Sequence, residues 1–206
     1  MKRKILLGLF ALLTAVSAWS ATPVLDKMIA AADASKGLQI TFSISMDGQK
    51  EVEGRYWAAG RKFHFETPQM KAWYDGTNLW VYLEQNGEVN LSLPMKEDLA
   101  MINPLLNLSE VKKEAFTVKE TPLPNIGYRI VATPKGKNTS QIAQLTAEAT
   151  EKYVPTLIRI LEKGSKTEIR VAVKSLKQGP FAEMNTPGFF AFSPNKLPGK
   201  PVIDLR

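Results

Sequence analysis

From Leu38 onward the apolar residues fall on a period of two, and turn pairs cut that pattern at short intervals. In "LQITFSISM" Leu38, Ile40, Phe42, Ile44 and Met46 share one face, while Gln39, Thr41, Ser43 and Ser45 share the other. Successive side chains of a strand point to opposite faces, so this is the pattern of a half-buried strand. Turns follow at Asp47-Gly48, Ala59-Gly60, Thr67-Pro68, Asp75-Gly76 and Asn86-Gly87. They separate strands expected over Glu51–Ala58, Arg61–Thr67, Met70–Tyr74, Asn78–Leu83 and Glu88–Leu93. Strands resume at Ala115–Glu120, Gly127–Thr133, Gln141–Ala149, Thr156–Glu162 and Lys166–Leu176. A run of about eleven strands joined by tight turns is an antiparallel sandwich or barrel signature. A sheet that wide curls or closes to limit its free edges, and a curled sheet has a concave side.

Helices are few. Thr22-Pro23 reads as an N-cap followed by a proline at the first helical position. Leu25, Met28, Ile29 and Ala32 then recur at helical spacing, and Gly37 follows the end. A second helical stretch places Met95, Leu99, Ile102 and Leu106 at helical spacing, with Pro104 forcing a kink or stop at Asn103 and a second short turn beyond it. Periodicity leaves two roles open for it: a helix plugging the core, or a lid that moves when an apolar ligand enters. The tail is rich in proline and glycine and holds two short apolar pieces, "FFAF" and "VIDL".

The segment "AWYDGTNLWVY" poses a packing problem. As a two-residue hairpin loop, Asp75-Gly76 pairs Tyr74 with Thr77, Ala72 with Leu79 and Met70 with Val81. The other face then carries Lys71, Trp73, Trp80 and Tyr82. An antiparallel sheet with one wet face alternates cleanly, and this hairpin does not. One face is expected to meet a helix or sheet and the other to line a space.

The N-terminus reads as a secretory leader, residues 1–20. Lys2, Arg3 and Lys4 precede an apolar run to Ala18, and small residues at Val16-Ser17-Ala18 and Ala18-Trp19-Ser20 suit signal cleavage. Residues 21–206 then form one domain, expected to be exported. Losing Lys2, Arg3 and Lys4 with the leader lowers the formal charge from +7 to +4. The remaining lysines are scattered, with no arginine stripe interleaved with aromatics, which argues against nucleic acid. A weak attraction to anionic lipid surfaces stays open.

The chain has no cysteine, which removes disulfides, thiolate metal sites and a lipid-acceptor cysteine. Its single histidine, His64, alternates with Phe63 and Phe65 and is expected on the polar face beside Lys62 and Glu66. No Gly-x-Ser-x-Gly elbow, phosphate loop or calcium loop is present. The expectation is a binding protein rather than an enzyme, with no cofactor and no metal.

The order of motifs carries a resemblance. The stretch Gly54 to Pro94, with Asp75, Gly76, Leu79, Trp80, Tyr82 and Val89, is similar to the LolA family of periplasmic lipoprotein carriers. Asn103-Pro104-Leu105-Leu106 resembles that family's lid segment, and "FFAFSPNKLPGKPVIDLR" its ending. The style is closest to members from Bacteroidetes. The resemblance implies a mainly β (α+β) fold, an unclosed antiparallel β-barrel wrapped around a few helices. It implies an acyl-chain cavity, for which Phe42, Ile44, Phe63, Phe65, Leu79, Val81 and Leu91 are the candidates. It implies a lid built from Met95, Leu99, Ile102, Leu105 and Leu106. Partners would be acylated lipoproteins, an inner-membrane ABC exporter and an outer-membrane acceptor, met by a monomeric carrier. The family's Arg-Pro latch is replaced here by Ala58-Ala59-Gly60-Arg61, so Arg61 is the candidate lid latch. A lipid-binding or sensing protein of the same fold, without lipoprotein traffic, is the alternative.

Overall fold

The computed structural model describes residues 22–47, 49–95, 98–99, 102, 108, 111, 115–136 and 141–206. The expected leader, residues 1–20, lies outside the described residues. Helix α1 (Pro23–Ala31) precedes β1 (Leu38–Met46), β2 (Val52–Ala59), β3 (Lys62–Glu66), β4 (Met70–Tyr74), β5 (Leu79–Leu83) and β6 (Glu88–Ser92). Then come β7 (Phe116–Leu123), β8 (Gly127–Pro134), β9 (Ile142–Thr150), β10 (Pro155–Glu162) and β11 (Glu168–Gln178). Short 3₁₀ turns at Ala182–Asn185 and Pro194–Lys196 lead to β12 (Val202–Asp204). All twelve strands join one sheet in the order β12-β6-β5-β4-β3-β2-β1-β11-β10-β9-β8-β7. Two meanders, β1–β6 and β7–β11, are thus welded by the antiparallel pair β1–β11. The sheet is unclosed, with β12 and β7 at its ends. The twelfth strand is the "VID" of the tail, which runs parallel to β6.

One face of the sheet holds the main core. Cross-strand partners in an antiparallel ladder share a face. The chain Phe42–Gly54, Tyr56–Phe65–Ala72–Val81 and Ala58–Phe63–Tyr74–Leu79 therefore lies on one side. Ile130, Ala147, Ile158 and Val171 continue it across β8 to β11. Val24, Leu25 and Met28 of α1 pack into this cluster, as do Ile102, Leu108 and Val111. Asp98, Leu99, Ile102, Leu108 and Val111 have helical backbone, in keeping with the second helical stretch. Gly54 is needed here, because a Cβ at that position would collide with the ring of Phe42.

Two local expectations are corrected. The side chain of Thr22 makes no capping bond to α1. Glu120 of β7 caps the helix across the fold: its carboxylate accepts from the backbone N–H of Val24 at 3.1 and 3.2 Å and of Leu25 at 3.0 Å. A carboxylate at a helix N-terminus satisfies donors that the helix itself cannot. Glu120→Ala is expected to lower stability by about 1–2 kcal/mol, measured by urea unfolding, while Thr22→Ala changes it little. Equal losses in the two variants would overturn that assignment.

The hairpin after β4 has a four-residue loop, not a two-residue one. Tyr74 pairs with Leu79 and Trp73 with Trp80. The Asp75 carboxylate accepts from the N–H groups of Thr77 and Asn78, both at 2.8 Å, and from the Asn78 amide at 3.1 Å. These bonds hold the wider turn and keep the Asp75 carboxyl below its usual range, outweighing partial burial. The register differs from the expected one by two residues, so each side chain keeps its expected face.

Candidate functional site

The inner face is a continuous apolar surface. Phe42 stacks on Phe65 with ring centroids 5.5 Å apart, and Phe63 tilts against Tyr74 at 5.4 Å. Phe42, Phe63, Phe65 and Leu79 are buried, while Ile44 and Val81 are half-buried. These six candidates share the face. Leu91 does not: it pairs with Trp80, in register with Trp73, on the opposite side. In β6 the apolar residues Val89 and Leu91 point outward, so Asn90 and Ser92 take the inner face beside Val81 and Leu79. Leu91 therefore leaves the inner set; the apolar alternation of "EVNLS" sets its phase within the strand but not its side.

The face is closed by the protein's own side chains. Helix α1 covers one part, and Ile102, Leu108 and Val111 complete the cluster, with Leu99 packed against it. Of the candidate lid, Leu99 and Ile102 thus touch the core, whereas Met95 is 67 % exposed. Leu105 and Leu106 lie outside the described residues. Arg61 is exposed in the turn between β2 and β3. The structure does not bring Arg61 into a hydrogen bond or ion pair with Met95, Leu99 or Ile102.

The outer face of β2 to β6 resolves the two-sided hairpin. Trp57, His64, Trp73, Trp80 and Leu91 form one row across five strands. His64 is sandwiched between Trp57 and Trp73, with ring centroids at 5.1 and 5.2 Å. The "FFAF" tail lies over this row: Phe189 meets Trp57 and His64 edge-on, and Phe192 packs on Trp73 at 5.3 Å. The Lys196 ammonium donates to the carbonyls of Gly188 and Ala191 at 2.8 and 2.7 Å and sits 5.4 Å from the Trp73 ring centroid. Tyr82, Trp73 and Val89 form a second apolar cluster with Trp80, Phe192 and Leu197 against it. This face is therefore lined by tail rather than by a ligand space.

His64 is corrected with it. It is buried at 9 % exposure instead of solvent-facing. Neither ring nitrogen has a hydrogen-bond partner among the described residues. Burial, then the charges of Lys196, Lys71 and Arg55, pushes its pKa down to about 3. Glu66 approaches Nε2 at 3.5 Å, too far and too poorly aligned for a bond that would hold the proton. Sequence alternation sets which face a residue takes; it does not say that a distant tail covers that face.

A cleft of about 530 Å³ opens beside this region, lined by Thr41, Phe42, Arg55, Glu66, Lys71 and Lys174 among others. Its charges largely pair: Glu66 lies 3.5 Å from Arg55 and 4.0 Å from Lys71.

Among known proteins, the described fold has a counterpart. An uncharacterized conserved protein from Thermus thermophilus superposes with a TM-score of 0.55 at 14 % identity, covering 88 % of this chain and 96 % of that one. A putative outer membrane lipoprotein-sorting protein domain from Vibrio parahaemolyticus gives a TM-score of 0.39 at 10 % identity, covering 75 % and 90 %. A LolA superfamily protein from Nitrosomonas europaea gives 0.40 at 9 % identity, covering 78 % and 94 %. No curated protein matches the sequence. Residues 12–164, most of the chain, match the family LolA_2, described as outer membrane lipoprotein carrier protein LolA, and the chain belongs to that family.

Proposed function

We propose that this protein is a periplasmic carrier that shelters the acyl chains of lipoproteins between the inner and the outer membrane. The observation that carries the reading is the inner face. Phe42, Ile44, Phe63, Phe65, Leu79 and Val81 form one apolar surface on a rigid sheet, in a chain of the lipoprotein-carrier family. Its cover is made of separate pieces that a ligand can displace. Each buried CH₂ contributes about 0.8 kcal/mol, so one long acyl chain amounts to on the order of 10 kcal/mol against water. An aqueous crossing needs such a surface. Release needs a cover whose return competes with the chain, which is the part given to Leu99 and Ile102, with Met95, Leu105 and Leu106 in the same segment. Arg61 as the latch of that lid belongs to the same proposal, as do a monomeric carrier, an ABC exporter as donor and an outer-membrane acceptor. The work is binding and release, without bond-making chemistry.

Native mass spectrometry of the periplasmically expressed protein, purified without detergent, tests the proposal. A co-purifying acylated lipoprotein is the expected result. Free phospholipid or fatty acid alone would favour a lipid-binding or sensing protein of the same fold. An empty protein that also ignores apolar dyes would overturn both.

A further inference from the structure

The tail shields the outer face of β2 to β6, and the outer face of β7 to β11 carries a different surface. Lys119, Val131, Thr146, Arg159 and Arg170 stand in one straight row across β7, β8, β9, β10 and β11. They lie opposite the core residues Ile130, Ala147, Ile158 and Val171, so they face outward. No acid interrupts that row. Arg159 and Arg170 are direct cross-strand partners, an arrangement in which like charges repel. The next row contributes Arg129 and Glu148. A single oxygen, Glu148 Oε1, accepts from Arg129 Nη2 at 2.8 Å and from Arg159 Nη2 at 3.0 Å. One carboxylate thus serves two guanidinium groups. Arg159 Nε is buried with no hydrogen-bond partner among the described residues. Arg170 and Lys119 are exposed.

From this geometry we infer that the outer face of β7 to β11 is a docking surface for an anionic lipid bilayer. Glu148 serves two guanidinium groups, and Glu51, the carboxylate whose charge interacts with Arg170, also lies 3.6 Å from Lys174. Each acid is shared between cations and the row repels itself, so an external anion relieves it. Phosphate headgroups match guanidinium groups well, because the planar fork donates two parallel bonds. The choice of a membrane over an acidic protein rests on what the surface lacks. Protein interfaces centre on buried aromatic anchors, whereas the apolar members of these rows, Val131, Leu157 and Ala172, are aliphatic and already buried or half-buried. Spread cationic charge without an anchor suits a headgroup layer, whose potential acts within about 8–10 Å at physiological salt. The inference does not depend on the carrier reading, since it concerns the face of the sheet turned away from the acyl-binding residues.

The test is flotation of the mature protein with phosphatidylcholine vesicles, with and without about one-third phosphatidylglycerol, alongside binding of a fluorescent fatty acid in the same samples. The expected result is flotation only with the anionic vesicles, lost in about 0.5 M salt as the screening length shortens. Arg159→Gln/Arg170→Gln should weaken flotation by about tenfold. Arg170→Gln alone, at an exposed position that cannot threaten the fold, should give an intermediate loss. Lys36→Gln/Lys152→Gln removes the same charge from turns outside the two rows and should float like wild type. Fatty-acid binding should be unchanged throughout, which separates failure here from failure of the carrier reading. Equal losses in the turn variant would reduce the effect to net charge and overturn the inference. Flotation with neutral vesicles would overturn it in favour of apolar insertion. Absence from anionic vesicles would also overturn it, leaving an acidic protein partner as the claimant for this face.

Discussion

Phenylalanine in place of His64 should leave the protein at least as stable as wild type at pH 7 and more stable by about 3 kcal/mol at pH 4. The imidazole is buried between Trp57 and Trp73 under Phe189, with both nitrogens unpartnered. Its pKa is held at about 3 by burial and by Lys196, Lys71 and Arg55. The unfolded chain takes up a proton at His64 below about pH 6.5, and the folded chain does not until about pH 3. The unfolded state therefore binds more protons in that window, so stability falls as pH drops from about 6.5 to about 3 and levels off below. Phenylalanine keeps the aromatic stack and removes two unsatisfied polar atoms, a change that is neutral or stabilising when shape is kept. Urea unfolding of both proteins at pH 7, 5.5 and 4 checks it. Parallel losses with acid would mean that His64 is not the buried neutral group described here. Tail release is the structural correlate: charging the ring under Phe189 should loosen the C-terminal segment first.

That histidine also marks where the sequence stops being legible. The strands are readable because turn pairs and period-two runs are local signals, and β1 to β6 and β7 to β11 lie where those signals put them. Even the mistaken hairpin loop preserves its faces, because the Asp75 bonds to Thr77 and Asn78 widen the turn by an even shift. What fails is long-range. That Glu120 caps α1 depends on β7 lying beside the helix, 96 residues away in sequence. That Trp73, Tyr82 and Val89 form a second buried cluster depends on a tail whose local signature is proline, glycine and the short pieces "FFAF" and "VIDL". A strand's alternation separates two sides, yet naming one of them inner requires knowing what covers each. Six of the seven cavity candidates lie on the core face because β1, β3 and β5 pair their apolar residues with one another through β2 and β4. Leu91 sits on the strand whose apolar side belongs to the tail.

Val81→Glu should fold and lose at least about tenfold in affinity for a fluorescent long-chain fatty acid. Val81 is half-buried on the inner face, opposite Ala72 on one strand and Asn90 on the other. A carboxylate there stays hydrated in the closed protein but must be desolvated when an acyl chain lies across the face, a cost of several kcal/mol. Leu79→Glu is the harsher version: Leu79 is 3 % exposed, so the charge is buried even without ligand and stability itself should drop by several kcal/mol. Thr117→Glu, exposed on the outer side of β7, adds the same charge away from the chain and should bind like wild type. On the proposed carrier reading, wild-type affinity is the acyl burial gain less the cost of displacing Leu99, Ile102, Leu108 and Val111 from the core cluster. Trimming that cover, as in Ile102→Ala, should therefore raise affinity while Val81→Glu lowers it, a pair of opposite signs that a general loss of stability cannot imitate. Unchanged binding in a folded Val81→Glu protein would send the acyl chain to another surface, and the cleft between Arg55, Lys71 and Lys174 would then be the place to look.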